Sequence, residues 1–223
     1  MTISEEWEKC FKENLQISVW PWSDLVSYVM RYASPTGKDF RVLELGCGAG
    51  ANIPFFISLG VNYFAIDGSP TIIEMLKKKF PSISKNISHG DFTSEIPFDG
   101  SFDLIIDRCA ITHNTTEDIK NCLNNIYNKL KKNGKYVGID WFSTHNSDFL
   151  NGQIIDGDKF TKTGYEKGMF VKVGQVHFSD KSHLLELFSE FEISHLEHKT
   201  TKTEIPKNAH QAAWWNLVVQ KTR

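Results

Sequence analysis

Residues 42–50 read Val42-Leu43-Glu44-Leu45-Gly46-Cys47-Gly48-Ala49-Gly50, an apolar run that breaks into glycines at three alternate positions. Such a turn lets a ligand approach bare backbone, and in an open parallel sheet it lies at the carboxyl end of a strand, near the point where strand order reverses. Asp67 closes the next apolar run, Phe64-Ala65-Ile66. A carboxylate there can accept hydrogen bonds from both hydroxyls of a ribose. Two cofactor classes share this logic. Dinucleotide sites use G-x-G-x-x-G, whose third glycine fixes helix packing beside a pyrophosphate. This chain has G-x-G-x-G with Glu44 before it. A carboxylate at that point repels a pyrophosphate but suits a cation such as the amino group of a methionine moiety, which favours S-adenosylmethionine over NAD.

A second group of residues ends a later apolar run. His113 can accept a proton from a hydroxyl or ammonium near neutral pH, or can cap the helix that follows. Asp107 can orient an acceptor, or can pair with Arg108. His145 and His177 are further imidazoles in the segments beyond. Asp107, Asp140 and His113 lack the compact carboxylate spacing of a metal site, so no metal is expected. Trp20-Pro21-Trp22 and Trp141-Phe142 offer faces on which a sugar or flat ring can stack, or are core. Trp214-Trp215 in a strand puts one ring on each face of a sheet.

These residues need a scaffold in which short β-branched runs alternate with stretches of helical period, the pattern of a parallel α/β sheet. Strands are expected at 40–45, 61–66, 86–89, 102–107, 135–141, 191–197 and 213–220. Helices fit between them. One spans 51–59 and stops at Gly60, one spans 70–80 with Ser69 as cap and Pro70 at its first position, and one spans 117–132 before Gly134. Helices at 5–15 and 23–33 precede the first strand and cover an edge or the carboxyl end of the sheet. Ser179 or Asp180 caps a helix running to about 189. Between 143 and 178 the pattern dissolves into a polar, glycine-bearing stretch, read as a lid over a site. One domain is expected, divided into a helical cap (1–37), a cofactor-binding core (38–142), the lid (143–178) and a C-terminal helix and strands (179–223).

The chain has 223 residues, 40% of them hydrophobic and 23% charged, the profile of a globular protein. That length buries roughly 70% of the extended surface, ample for one core. Lys and Arg number 25 against 27 Asp and Glu. No cationic surplus is available to neutralise a phosphate backbone, which disfavours nucleic acid. Cys10, Cys47, Cys109 and Cys122 form no CxxC pair, and reduced thiols are expected. The start, Met1-Thr2-Ile3-Ser4-Glu5-Glu6, is acidic where a signal peptide is basic, and no apolar run approaches the ~20 residues of a membrane span. A cytoplasmic location is the expectation.

The turn VLELGCGAG is followed in order by FAIDGS at 64–69, HGDF at 89–92, FDLIIDRCAITHN at 102–114 and LKKNGKYVGI at 130–139. These segments resemble the ordered motifs of the class I S-adenosylmethionine-dependent methyltransferases over residues 40–140 and, more loosely, to the C-terminus. The resemblance implies a three-layer α/β sandwich with a seven-stranded, mostly parallel sheet in the order 3-2-1-4-5-7-6, strand seven antiparallel. It also implies roles. Glu44 and the backbone of Gly46, Cys47 and Gly48 hold the methionine part of the cofactor, and Asp67 binds the ribose, with Gly68 and Ser69 lining that pocket. Asp91 takes the exocyclic amino group of adenine, and Phe92 supplies its amide or packs on the ring. An Asp-Phe pair after a strand is otherwise a helix cap with a core aromatic. The backbone at Asp107 faces the methionine amino group and the incoming acceptor. Trp20 or Trp22 closes over the cofactor.

Methyl transfer is an in-line displacement at an activated carbon, so positioning supplies much of the acceleration, and a base such as His113 is needed only for a protonated nucleophile. The expected function is methylation of an oxygen or nitrogen of a small molecule, with a sugar or nucleotide-linked sugar as one candidate. No Asp/Asn-Pro-Pro-aromatic tetrapeptide, resembling that of nucleic-acid amino-methylases, stands at Asp107; Arg108-Cys109-Ala110 follows instead. A monomer or homodimer is expected, without a nucleic-acid or membrane partner. Two alternatives stay open: a catalytically silent S-adenosylmethionine-binding regulatory module, and an NAD-dependent oxidoreductase.

Overall fold

The computed structural model of the chain describes residues 5–15 and 17–223. The first four residues of the acidic start lie outside the described residues. Strands β1 (Arg41–Leu45), β2 (Asn62–Asp67), β3 (Ile87–His89), β4 (Phe102–Arg108) and β5 (Leu130–Phe142) pair in parallel. Three short strands follow, β6 (Gln153–Ile155), β7 (Asp158–Thr163) and β8 (Val176–His177), and form a separate antiparallel sheet. β9 (Glu192–Lys202) and β10 (Gln211–Gln220) complete the main sheet, β10 running antiparallel to both of its neighbours. The order β3-β2-β1-β4-β5-β10-β9 is the expected one, with β9 and β10 as its sixth and seventh strands. Order reverses between β1 and β4, so the crevice for a ligand opens at their carboxyl ends.

Alternation along each strand fills two cores. Val42, Leu104, Ile106 and Val137 face α2 (Ser23–Tyr32), α3 (Ile53–Ser58) and α4 (Pro70–Lys79), whereas Leu43, Leu45, Ile105 and Tyr136 face α5 (Thr116–Lys129) and α6 (Lys181–Leu187). Helix α1 (Glu5–Lys12) lies over the carboxyl edge, with Phe11 in the first of these cores. Ser69 accepts from the Ile72 amide at 3.2 Å, as its capping role requires. Asp180, not Ser179, caps α6, accepting from the His183 amide at 2.8 Å. Of the tryptophan pair, Trp215 is buried in the α5–α6 core while Trp214 packs towards the lid.

Three expectations need correction. The helix expected at 51–59 begins only at Ile53, because Gly50 and Ile53 donate to Cys47 and Gly50 carbonyls in completing the glycine turn. The helix expected to 132 ends at Lys129, since Leu130 is already extended at φ −76°, ψ 139° and opens β5. Gly134 is no helix stop: a Cβ there would lie 3.0 Å from the Phe102 carbonyl, so glycine permits close approach of β4. The stretch at 143–178, in which no strand was expected, carries β6 to β8. Its three strands cover an apolar cluster of Phe142, Tyr165, Phe170, Val173, Val176 and Phe178.

Candidate active site

A cavity of about 620 Å³ opens where β1 and β4 part. The turn after β1 supplies one wall. Gly46 has φ +65°, and its amide and that of Cys47 both donate to the Ile66 carbonyl, at 2.8 and 3.3 Å. These amides are therefore spent on the fold, and backbone contact with a cofactor falls to the carbonyl side of the turn. A Cβ on Gly46 would lie 2.2 Å from the Cβ of Ala110, so glycine alone lets the turns after β1 and β4 touch.

Asp67 joins the turns after β1 and β2. Its Oδ2 accepts from the Gly48 amide at 2.8 Å and its Oδ1 from the Ser69 amide at 2.9 Å. Burial raises its pKa against the pull of those amides. A carboxylate has about four lone-pair sites, and two amides leave capacity for two ribose hydroxyls. Gly68 and Ser69 line the cavity beside it. Glu44, 2% exposed, accepts from Asn52 Nδ2 at 2.7 Å and from the Tyr63 hydroxyl. Burial pushes its pKa up to about 7, with those two hydrogen bonds opposing and the charges of Asp107 and Asp67 adding. An ammonium at this wall would oppose that shift with its charge and favour the ionised carboxylate, so the donor set fits the methionine end of S-adenosylmethionine.

At the third wall, Asp91 and Phe92 follow β3 with Gly90. Asp91 accepts from the Thr93 amide at 2.9 Å, the Thr93 hydroxyl at 2.6 Å and the Ser94 hydroxyl at 3.1 Å. Burial alone raises its pKa, yet these bonds together bring it below the ordinary value. It thus both organises its own turn and faces the cavity.

Asp107 departs from its expected place. Its backbone ends β4 as expected, but its fully buried carboxylate accepts from the Ala110 and Ile111 amides at 2.8 and 3.0 Å, from Trp141 Nε1 at 2.9 Å and from the Tyr136 hydroxyl at 3.4 Å. Gly138 leaves the room in which Trp141 and Tyr136 converge on it. The carboxylate braces the turn from beneath and is not among the cavity-lining groups. It pairs with no arginine among the described residues: Arg108 bonds Asp140 at 2.8 Å, and Asp140, at a positive φ of 58°, sits within β5 where the pairing with β10 shifts register.

His113 ends the same turn and lines the cavity. It does not cap the next helix, since Thr115 does so through the Asp118 amide. Its Nδ1 lies 3.1 Å from the Gln175 carbonyl, and Gln175 Nε2 donates back to the His113 carbonyl at 3.2 Å. A carbonyl only accepts, so Nδ1 carries the proton and Nε2 is the accepting nitrogen. Burial lowers the pKa to about 4, with the Gln175 carbonyl opposing. Trp7 meets the imidazole edge-on at 5.0 Å and Phe142 at 5.8 Å.

Of the N-terminal tryptophans, Trp22 lines the cavity and Trp20, 81% exposed, does not. The Trp22 amide donates to Asn52 Oδ1 at 3.3 Å, and the Arg108 guanidinium lies 3.4 Å over its ring. His145 and His177 are outside the wall. His145 meets His198 edge-on, and His177 is bonded to Thr161 and Ser179 inside the lid. Asn52, Trp7, Phe11, Thr163 and Gln175 complete the wall without having been singled out in the sequence. Only Asn52, a polar residue directly after the glycine turn, left a signal there; the others arrive through tertiary packing.

Comparison with known proteins agrees with this geometry. A protein-family model described as a methyltransferase domain matches residues 42–134. The cypemycin N-terminal methyltransferase of a Streptomyces species is 32% identical over 85 residues, covering 38% of this chain and 34% of that protein, so the match spans about a third of the curated relative. Among solved structures, an S-adenosylmethionine-dependent methyltransferase from Methanosarcina mazei superposes with a TM-score of 0.69 at 16% identity, over 91% of this chain and 99% of that one. The N-methyltransferase NodS from Bradyrhizobium japonicum, solved with S-adenosyl-L-homocysteine, does so at 0.60 and 14% identity, over 90% and 87%. Residues 42–134 thus match a methyltransferase domain, and the chain shares its fold with solved S-adenosylmethionine-dependent methyltransferases. Among the described residues no helix is long and apolar enough to cross a membrane.

Proposed function

We propose that this chain binds S-adenosylmethionine in the β1–β4 cavity and methylates a nitrogen or oxygen of a small molecule. The observation that carries the reading is Asp67, tied to the Gly48 and Ser69 amides, standing with Glu44 and His113 around one cavity. Nitrogen is the first choice, because a curated relative and a structural neighbour are both named as methyltransferases acting on nitrogen or on an N-terminus. When bound, the cofactor supplies an electrophilic sulfonium methyl. Glu44 neutralises its ammonium, Asp67 holds the ribose hydroxyls, and Asp91 and Phe92 border the adenine. His113 is neutral at pH 7 and presents Nε2 to an N–H or O–H of the acceptor, orienting its lone pair; with a pKa of about 4 it is a weak base and acts by positioning. The lid, residues 143–178, contributes Thr163, Gly174 and Gln175 to the wall and keeps water from the reacting atoms. The same reading takes the protein as cytoplasmic, as its four unpaired cysteines suit, and as a monomer or homodimer.

Calorimetric titration with S-adenosylmethionine, S-adenosylhomocysteine and NAD, followed by assay of S-adenosylhomocysteine release across small amines and alcohols, tests this. Binding of the adenosyl ligands alone together with acceptor-dependent release is expected. Binding without release across the panel would instead favour a silent regulatory module, and binding of NAD alone would overturn the cofactor.

A further inference from the structure

Charge is divided unevenly around the cavity. Glu6, Glu44, Asp67 and Asp91 are the acidic residues of its wall, whereas Arg108 is the only Lys or Arg among the described residues of the wall. A guanidinium repels a sulfonium cofactor in the same cavity; Asp140 at 2.8 Å offsets part of that charge, and an anionic acceptor would offset the rest. Arg108 is also fixed in place. Its Nη2 meets Asp140 at 2.8 Å, its plane lies on Trp22 at 3.4 Å, and it begins the turn that His113 ends. Its Nε is buried without a hydrogen-bond partner. Asp140 thus engages one corner of a group with five donors. Trp22, 38% exposed, lies on the face of the guanidinium, and the Arg108 side chain is itself 25% exposed, so its free donors lie in the plane along the edge that Asp140 does not take. The planar fork of that edge matches a carboxylate with two parallel hydrogen bonds.

We infer that Arg108 selects the methyl acceptor by binding a carboxylate on it, with the receiving nitrogen or oxygen at the His113 end of the turn. The inference rests on the methyltransferase reading above and narrows its substrate to small carboxylic acids. A nucleotide-linked sugar fits less well: it brings two phosphate charges to a single guanidinium already paired with Asp140.

The test uses the full chain saturated with S-adenosylhomocysteine, titrated with benzoate against benzamide, phenylacetate against phenylacetamide, and inorganic phosphate. Each acid should bind at least about tenfold more tightly than its amide. Arg108→Gln should abolish that preference and Arg108→Lys should keep part of it, with S-adenosylhomocysteine affinity within about twofold of the parent in both. Equal affinity for acid and amide in the unaltered protein, no binding of either acid, or tighter binding of phosphate overturns the assignment while leaving the cofactor site standing. Failure of S-adenosylhomocysteine to bind removes both readings together.

Discussion

Asp67 does two things with one carboxylate, and its substitution separates them. Two of its acceptor sites hold the Gly48 and Ser69 amides, and the rest are open to the ribose hydroxyls of the proposed cofactor. Asp67→Ala should weaken S-adenosylhomocysteine binding by about 1.5 to 3 kcal/mol, roughly 10- to 150-fold, read by calorimetry. Unchanged affinity would sink the ribose assignment. The places of Glu44 and Asp67 at the cavity were legible in the sequence because both stand towards strand ends. The Asp107 carboxylate was misread because position gives the backbone's direction and not the rotamer; Gly138, Tyr136 and Trp141 turn it inward. Histidine protonation is a residue-scale matter too. Burial holds His177 at about 3, with the neighbouring His183 also lowering it, and His113 at about 4. Both rings bind protons more weakly folded than unfolded. The unfolded chain therefore takes up more protons between about pH 6.5 and 3, and the stability they contribute is lost as pH falls through that window. Glu44 and Asp107, raised to about 7 and about 6, act in the opposite sense. The difference between the unaltered protein and His177→Gln isolates one ring. Urea unfolding at about pH 7.5 and about pH 5 should show the variant losing less stability, by at most about 1.4 kcal/mol per pH unit. Equal losses would place the His177 proton affinity near its ordinary value.

At the scale of elements, residues 143–178 are tied to α5 through the Asp158 side chain. Asp158 at the start of β7 accepts from the Thr116 amide at 2.7 Å and the Thr116 hydroxyl at 2.8 Å, both in the first turn of α5, and from the Phe160 amide and Thr161 hydroxyl within the lid. The Thr161 hydroxyl in turn meets His177 Nδ1 at 2.9 Å, beside the Gln175 that grips His113. Asp158→Ala should cost about 2 to 3 kcal/mol, lowering Tm by roughly 5 to 10 °C, measurable by calorimetric melting. A shift below about 1 °C would mean that the lid is held by its apolar cluster alone. Sequence periodicity gave the main sheet because its strands are buried on both faces, as Ile105 and Ile106 show by packing into opposite cores. It missed β6 to β8 because those strands are only two to six residues long, and in β6 the adjacent Gln153 and Ile154 are both exposed, so no apolar face shows. The boundary between α5 and β5 was hidden for a related reason. Leu130 is buried whether the backbone there is helical or extended, so its hydrophobicity could not locate the change.

For the whole molecule, the walls of the cavity come from segments far apart in sequence: α1, the turns after β1, β2, β3 and β4, and the lid all meet there. A ligand that touches all of them is bound by the folded chain and not by the unfolded one, so binding must raise stability by mass action. At 100 times its Kd, S-adenosylhomocysteine should add about 2.7 kcal/mol, which for a chain of 223 residues is a rise in Tm of roughly 5 to 10 °C. NAD at the same concentration should leave Tm in place, because Glu44 faces the position its pyrophosphate would take. This shift is expected equally of an enzyme and of a silent binding module, since both need only the cofactor wall. Acceptor binding separates them: only the enzyme must also receive an acceptor at the turn from Arg108 to His113. A further rise in Tm on adding an acceptor to the S-adenosylhomocysteine complex, absent when the acceptor is added alone, would show that the acceptor wall is completed by the cofactor. A rise of the same size without cofactor would mean that the two walls act independently, and would leave Trp22 and Asn52 with no part in coupling them.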